Sequence, residues 1–98
     1  MSEAADEPCR ADLWLWHARF FKTRSLAARF IEDGRIRLTR GGVESRVDKP
    51  ARTLKPGDLL VFAIGGRLVS VRILASGERR GPASEARSLY EVIDGSAD

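Results

Sequence analysis

Residues 20–30, FFKTRSLAARF, contain the signals that decide how the N-terminal half of the chain folds. Their apolar side chains recur at helical spacing, and Thr23 is a favourable N-cap for a helix from residue 24 to about residue 33. Gly34 follows as a helix stop. We expect the buried stripe of this helix to contain four apolar residues: Leu26, Ala27, Phe30 and Ile31.

Four basic or hydroxylated side chains crowd the start of this predicted helix: Lys22, Thr23, Arg24 and Ser25. The first turn of a helix leaves backbone N–H groups unpaired, and the helix dipole is positive there, so Lys22 and Arg24 reduce the stability of the helix. A bound anion would be stabilised by the same N–H groups, dipole and cations. The cluster therefore favours a phosphate-binding site over a purely structural role.

A shorter helix precedes this one, predicted over residues 13–20 with Asp12 as its N-cap. Two sets of residues at helical spacing compete for its buried face: Ala11, Trp14, Leu15 and Ala18, or Leu13, Trp16, His17 and Phe20. A domain this small can bury only one of these sets fully, and the pattern alone leaves the choice open.

After Gly34 the apolar period changes from helical to alternating. Residues 35–40 form a predicted strand in which Ile36 and Leu38 point inward. Three arginines of this strand are expected to point outward, beside the helix: Arg35, Arg37 and Arg40.

Turns and alternation predict the remaining elements: a short strand over 43–47 after Gly41-Gly42, a turn over 53–58, a hairpin of 59–64 and 67–74, and a short helix through Ala86, Leu89, Tyr90 and Ile93. We therefore expect an α+β fold, with two N-terminal helices packed on a small antiparallel sheet and a short C-terminal helix. The expected division is a disordered acidic N-terminus (1–9), a folded domain (10–76) and a C-terminal extension (77–98).

Charge is distributed unevenly along the chain. Residues 10–82 carry 16 Lys and Arg against 7 Asp and Glu, whereas the two ends carry one Arg against seven acids. A basic body of this kind is typical of nucleic-acid-binding proteins. No window approaches 18 apolar residues and the chain starts with acidic residues, so we expect no membrane contact, no signal peptide and a cytoplasmic location.

The sequence offers little for catalysis or metal binding. Cys9 is the only cysteine and His17 the only histidine, and a catalytic pair of the two would need the N-terminal segment to be held in place. The carboxylates are scattered along the chain. We therefore expect a protein that is not an enzyme and that binds no cofactor or metal.

Three stretches together resemble the S4-like RNA-binding domain, also called the alpha-L motif: RADLWLW (10–16), ARFFKTRSLA (18–27) and IEDGRI (31–36). The tryptophan-rich start, the FFKTRS run and the later GERRGP (77–82) are similar to the bacterial ribosome-associated fifteen-kilodalton heat-shock protein family. The resemblance covers residues 10–93 and makes 10–76 the S4-like domain.

The resemblance implies that RNA binds along the second helix and the strand beside it. The positions that match the RNA-facing part of the motif are Arg10, Lys22, Thr23, Arg24, Ser25, Arg29, Arg35, Arg37 and Arg40. The implied partner is ribosomal RNA on the large ribosomal subunit, with peptidyl-tRNA present, in the rescue or quality control of stalled ribosomes. We expect the free protein to be a monomer.

Two other functions fit parts of the sequence. A protein-interaction or chaperone module would use exposed Leu13, Trp16 and Phe20, and its binding would be insensitive to salt. An RNA-binding subunit would act with a separate RNA-modifying enzyme, because 98 residues leave no room for a catalytic domain.

Overall fold

The computed structural model describes residues 8–93. Its elements, in chain order, are β1 (Cys9–Arg10), α1 (Ala11–His17), α2 (Arg24–Glu32), β2 (Ile36–Arg40), β3 (Val43–Val47), β4 (Thr53–Leu54), β5 (Leu59–Ile64), β6 (Arg67–Ile73), α3 (Ala83–Arg87) and β7 (Tyr90–Val92). This arrangement confirms the expected α+β fold. Within residues 8–93, no helix is long and apolar enough to cross a membrane.

The main sheet has five antiparallel strands in the order β3-β2-β5-β6-β7. The predicted hairpins are present, and the turn between β2 and β3 has positive φ at both Gly41 (+58°) and Gly42 (+81°). Two successive residues with positive φ make a type I′ turn, whose twist matches that of the two strands and which glycine adopts without strain. A second, two-stranded sheet pairs β1 with β4.

The helices cover one face of the main sheet, and α1 buries the first of its two predicted apolar faces. Ala11, Trp14, Leu15 and Ala18 are all at most 3% exposed. Ala27 and Ile31 of α2 join them, as do the inward residues of β2, β5 and β6. Leu26, expected in this core, is instead 46% exposed. The whole first turn of α2 is exposed, so the helix contacts the core only from its second turn onward.

The first helix begins earlier and ends earlier than predicted. Asp12 is not its N-cap; the cap position is Arg10, which makes no side-chain capping bond. The backbone N–H groups of Ala11 and Asp12 donate to carbonyl oxygens of residues 52 and 50 (2.8 and 3.2 Å), so a neighbouring loop satisfies the helix start. Arg19 has a φ of +66°, so the chain leaves the helix there without a glycine. No feature of the sequence predicts this conformation at Arg19.

The C-terminal helix is also shorter than predicted. It ends at Arg87, and Tyr90–Val92 form β7, which pairs with β6 through Ile73↔Tyr90 and Val71↔Val92. Strand β6 would otherwise have an unpaired edge, and pairing with it outweighs the helical spacing of these residues. Residues 90–92 therefore belong to the main sheet. Of the expected disordered N-terminus, residues 1–7 lie outside the described residues, whereas Cys9 is buried in β1.

Arg40 is held against the protein by a buried carboxylate rather than pointing outward as predicted. Its Nε and Nη2 donate to the two carboxylate oxygens of Asp58 (2.9 and 2.7 Å), and Nη2 also donates to the Thr53 carbonyl (3.1 Å). The N–H of Lys55 adds a bond to Asp58 (2.9 Å). Asp58 is only 1% exposed, so its charge requires these partners. The hydrogen bond to Asp58 raises the pKa of Arg40.

Replacing Asp58 by alanine should therefore leave the Lys55 N–H without an acceptor and the Arg40 guanidinium with only the Thr53 carbonyl. We expect Asp58→Ala to lower the free energy of unfolding by about 3 kcal/mol, measured by urea denaturation followed by circular dichroism. Glu44→Ala is the matched control, because Glu44 pairs with Arg37 in an exposed ion pair (3.2 Å). It should cost no more than about 1 kcal/mol. Equal effects of the two substitutions would contradict the assigned role of Asp58.

Candidate RNA-binding surface

The start of α2 has the local geometry that the sequence predicted. Thr23 is extended (φ −136°, ψ 157°), and its Oγ1 accepts a hydrogen bond from the N–H of Leu26 (3.1 Å). Lys22, Thr23, Arg24 and Ser25 are all exposed, and the first turn contains no acidic residue. The positive end of the helix dipole is therefore flanked by two cations and faces solvent, which favours an anion there.

Asp12 joins the first helix to this site, a role that sequence analysis missed. Its buried carboxylate accepts bonds from Nε and Nη2 of Arg10 (both 3.1 Å), and Arg24 Nε lies 3.4 Å from it. Burial alone raises the pKa of Asp12, but the hydrogen bond from Arg10 and the charges of Arg24 and Arg10 outweigh it, so the pKa lies below its ordinary value. One carboxylate thus orients two arginines, and the net charge of the three side chains remains positive.

Two further predicted residues lie along the same helix. Arg29 is exposed and follows Ser25 by four residues, which places both on one side of α2. Arg35 lies just beyond the helix, with its Cζ 5.9 Å from the centre of the Phe30 ring, at the outer limit of a cation–π contact. We group these residues with Arg10, Lys22 and Arg24 as one basic surface, hereafter the α2 surface.

The structure does not bring Arg37 and Arg40 to this surface. Neighbouring side chains of a strand point to opposite faces, and Ile36 and Leu38 face the helices, so Arg37 lies on the far face of the sheet. Its guanidinium pairs there with Glu44. Arg40 is held by Asp58, as described above. The prediction that Ile36 and Leu38 point inward is confirmed, and it places Arg37 on the face away from the helices. Alternation puts Arg40 on the same face as Ile36 and Leu38, so the expectation that the arginines of this strand share one outward face was wrong.

The aromatic residues considered for a chaperone surface, Trp16 and Phe20, lie in or beside a packed group of rings. Phe20 contacts Tyr90 (4.9 Å between ring centres) and Phe62 (5.4 Å), and Trp14 donates its Nε1–H to the Ala75 carbonyl (2.8 Å). Trp16 is half-buried beside His17. These contacts favour a structural role for the aromatic residues over a role as an exposed binding surface.

The groups that could be chemically reactive are placed unfavourably for catalysis. Burial, with a smaller effect from Asp12, raises the pKa of Cys9 to about 11, so the thiol stays protonated at neutral pH and is a poor nucleophile. His17 is buried with Nδ1 3.2 Å from the Ser76 carbonyl. Residues 8–93 contain no group of three or more His, Cys, Asp or Glu side chains that could hold a metal ion.

Comparison with known proteins places this geometry in context. Heat shock protein 15 of Escherichia coli (strain K12) is 37% identical over 91 residues, which are 93% of this chain and 65% of that protein. The RQC P-site tRNA stabilizing factor of Halalkalibacterium halodurans is 39% identical over 83 residues, 85% of this chain and 88% of that one. The chain therefore spans just under two thirds of the length of heat shock protein 15. No family model matches the chain.

A solved structure shows the same fold. Heat shock protein 15 of Vibrio cholerae, whose structure is described as trimeric, has a TM-score of 0.78 and 33% identity over 89% of this chain and 83% of that one.

Two helices packed on an antiparallel sheet, with basic residues at the start of the second helix, agree with the S4-like class that the sequence resembles. The chain belongs to the heat shock protein 15 family.

The buried carboxylate of Asp12 makes a testable contribution to stability. Because its pKa is lower in the folded protein than in the unfolded chain, this contribution is complete above the ordinary pKa of 3.8 and is lost as the pH falls through the lower, folded value. Asp12→Asn should reduce the unfolding free energy at neutral pH by about 1–2 kcal/mol and flatten the loss on acidification, both measured by thermal denaturation.

Asp48→Asn provides the matched control. Asp48 is exposed and forms no ion pair within residues 8–93, so its substitution should leave the acid dependence unchanged. If Asp12→Asn and the wild type lost stability in parallel below pH 4, the stabilising role of the Asp12 charge would be refuted.

Proposed function

We propose that this protein is a non-catalytic RNA-binding protein that binds ribosomal RNA of the large subunit through the α2 surface and acts in the rescue or quality control of stalled ribosomes. The observation that carries the proposal is the exposed start of α2, where Lys22 and Arg24 flank unpaired backbone N–H groups with no acid in the first turn. Phosphate is the biological anion that best uses cations, N–H donors and a helix dipole together.

The names of the relatives support the ribosomal part of the proposal. One relative is named for stabilising P-site tRNA, and none of the relatives named above carries the name of an enzyme. We extend the association with the ribosome and with tRNA to this chain, and with it a cytoplasmic location. The buried, protonated Cys9 supports binding without catalysis.

The α2 surface supports recognition by shape rather than by base sequence. A phosphate at the helix start would contact Lys22 and Arg24, while Arg29 and Arg35 would follow the RNA backbone along the helix. Arg10, oriented by Asp12, would contact a neighbouring phosphate. Structured RNA presents its phosphates and 2′-hydroxyl groups at its surface, and five arginine and lysine side chains suffice for a salt-dependent contact. We propose that the free protein is a monomer, which light scattering can test.

The test is co-sedimentation with purified ribosomal subunits at two salt concentrations. The wild type should sediment with the large subunit, and its affinity should fall as salt rises. The five cations of the α2 surface should contribute about −3.5 to −4.5 to the slope of log affinity against log salt. Lys22→Ala/Arg24→Ala should bind at least about tenfold more weakly, with a slope flatter by about 1.4–1.8, because two phosphate contacts are lost.

A double variant with the same change in charge controls for non-specific attraction. Arg37 and Arg72 both lie on the far face of the sheet, each in an exposed ion pair. Arg37→Ala/Arg72→Ala should bind nearly as the wild type does. If both double variants lost affinity equally, the α2 surface would not be the contact, and if the wild type did not bind either subunit, the ribosomal proposal would be wrong.

A further inference from the structure

The loop between β6 and α3 lies against the connection between the two N-terminal helices. Arg19 Nη1 donates to the Gly81 carbonyl (2.8 Å), and Arg80 Nη2 lies 3.5 Å from the Phe21 carbonyl. In the first contact the inter-helix connection donates to the loop, and in the second the loop donates to the connection. The partners are 59 or more residues apart in sequence. They place the guanidinium of Arg80 beside the residue that directly precedes Lys22, at the edge of the α2 surface.

Arg80 is held in this position while most of its hydrogen-bonding capacity is unused. A guanidinium has five N–H donors, and within residues 8–93 Arg80 finds one acceptor, at a long distance. Its Nε is buried and has no partner among those residues. A buried donor without an acceptor is unfavourable in the free protein, and a ligand acceptor bound by the remaining Nη1 and Nη2 donors would offset that cost.

Arg80 forms no ion pair within residues 8–93, and the acid of the adjacent helix is engaged elsewhere. Glu85 pairs with Arg79 (3.0 Å), so its charge is already balanced. Gly81 is buried against the same carboxylate, and a Cβ at position 81 would collide with Glu85. The loop is therefore packed against α3 on one side and hydrogen-bonded to the inter-helix connection on the other. The positive charge of Arg80 stays unpaired at the edge of the loop.

We infer that Arg80 is a second RNA-phosphate contact, continuous with the α2 surface, and that the loop over residues 77–82 exists in this conformation to present it. The inference rests on the proposed function and extends it, because it assigns RNA binding to a segment that begins at Gly77, far beyond the end of α2 at Glu32. The ligand group is a backbone phosphate, since a planar fork with several free donors binds a phosphate through two parallel hydrogen bonds.

The experiment uses the full chain, a fluorescein-labelled RNA hairpin and purified large ribosomal subunits as probes, over about 50 to 200 mM salt. Arg80→Gln should weaken binding about three- to tenfold and flatten the salt slope by about 0.7–0.9, the share of one phosphate. Arg72→Gln is the matched control on the far face of the sheet and should change neither quantity.

Arg80→Lys is a second variant for the case that Arg80→Gln does not fold. Lysine keeps the charge without the planar fork, so the salt slope should stay that of the wild type while the affinity falls. Thermal denaturation of each variant identifies any that is unfolded at the assay temperature, and Arg80→Lys then decides the result.

The inference is overturned if Arg80→Gln, or Arg80→Lys in its place, binds both probes with wild-type affinity and slope while Lys22→Ala/Arg24→Ala is weakened. That outcome would leave the proposed function intact. If the wild type binds neither probe, the proposed function fails, and the inference with it.

Discussion

The buried carboxylate of Asp12 is the interaction on which the arrangement of the N-terminal half depends. It lies in the first turn of α1 and is bound by Arg10 from the preceding strand and by Arg24 from the start of α2. A charge buried to this degree is tolerated only with such partners, so the three elements must meet at this point. The same contact that joins the two helices also fixes the direction of two cations on the α2 surface.

A second buried carboxylate, Asp58, shows how the fold divides its arginines between structure and surface. Asp58 binds Arg40 and the Lys55 N–H and thereby connects the end of β2 to the start of β5. Exposed ion pairs such as Arg37–Glu44 hold their residues only weakly. The cations without an acidic partner in the described residues, among them Lys22, Arg29 and Arg35, remain free to bind an external anion. A count of basic residues therefore overstates the size of a binding surface.

The surface that we propose to bind RNA is made of basic residues whose charge is not fully balanced by acids. The proposed surface combines the start of α2, Arg10 at the end of β1, and the loop that presents Arg80, which are far apart in sequence. Packing of two short helices on an antiparallel sheet brings them together. A broad, open and positively charged surface suits a large polyanion better than a small molecule.

The sequence by itself determined the features that depend on neighbouring residues. Thr23 caps α2, Gly34 ends it with a φ of +73°, and the Gly-Gly pairs form the hairpin turns, because hydrogen bonds and steric limits within a few residues decide each of them. Only the tertiary structure decided where α1 starts, that Tyr90–Val92 form a strand, and that Arg37 and Arg40 leave the basic surface. Each of these depends on a partner distant in sequence: a carbonyl of the loop at residues 50–52, the free edge of β6, or the carboxylate of Asp58. Periodicity places a side chain on one face of an element, but which face is covered is fixed by packing.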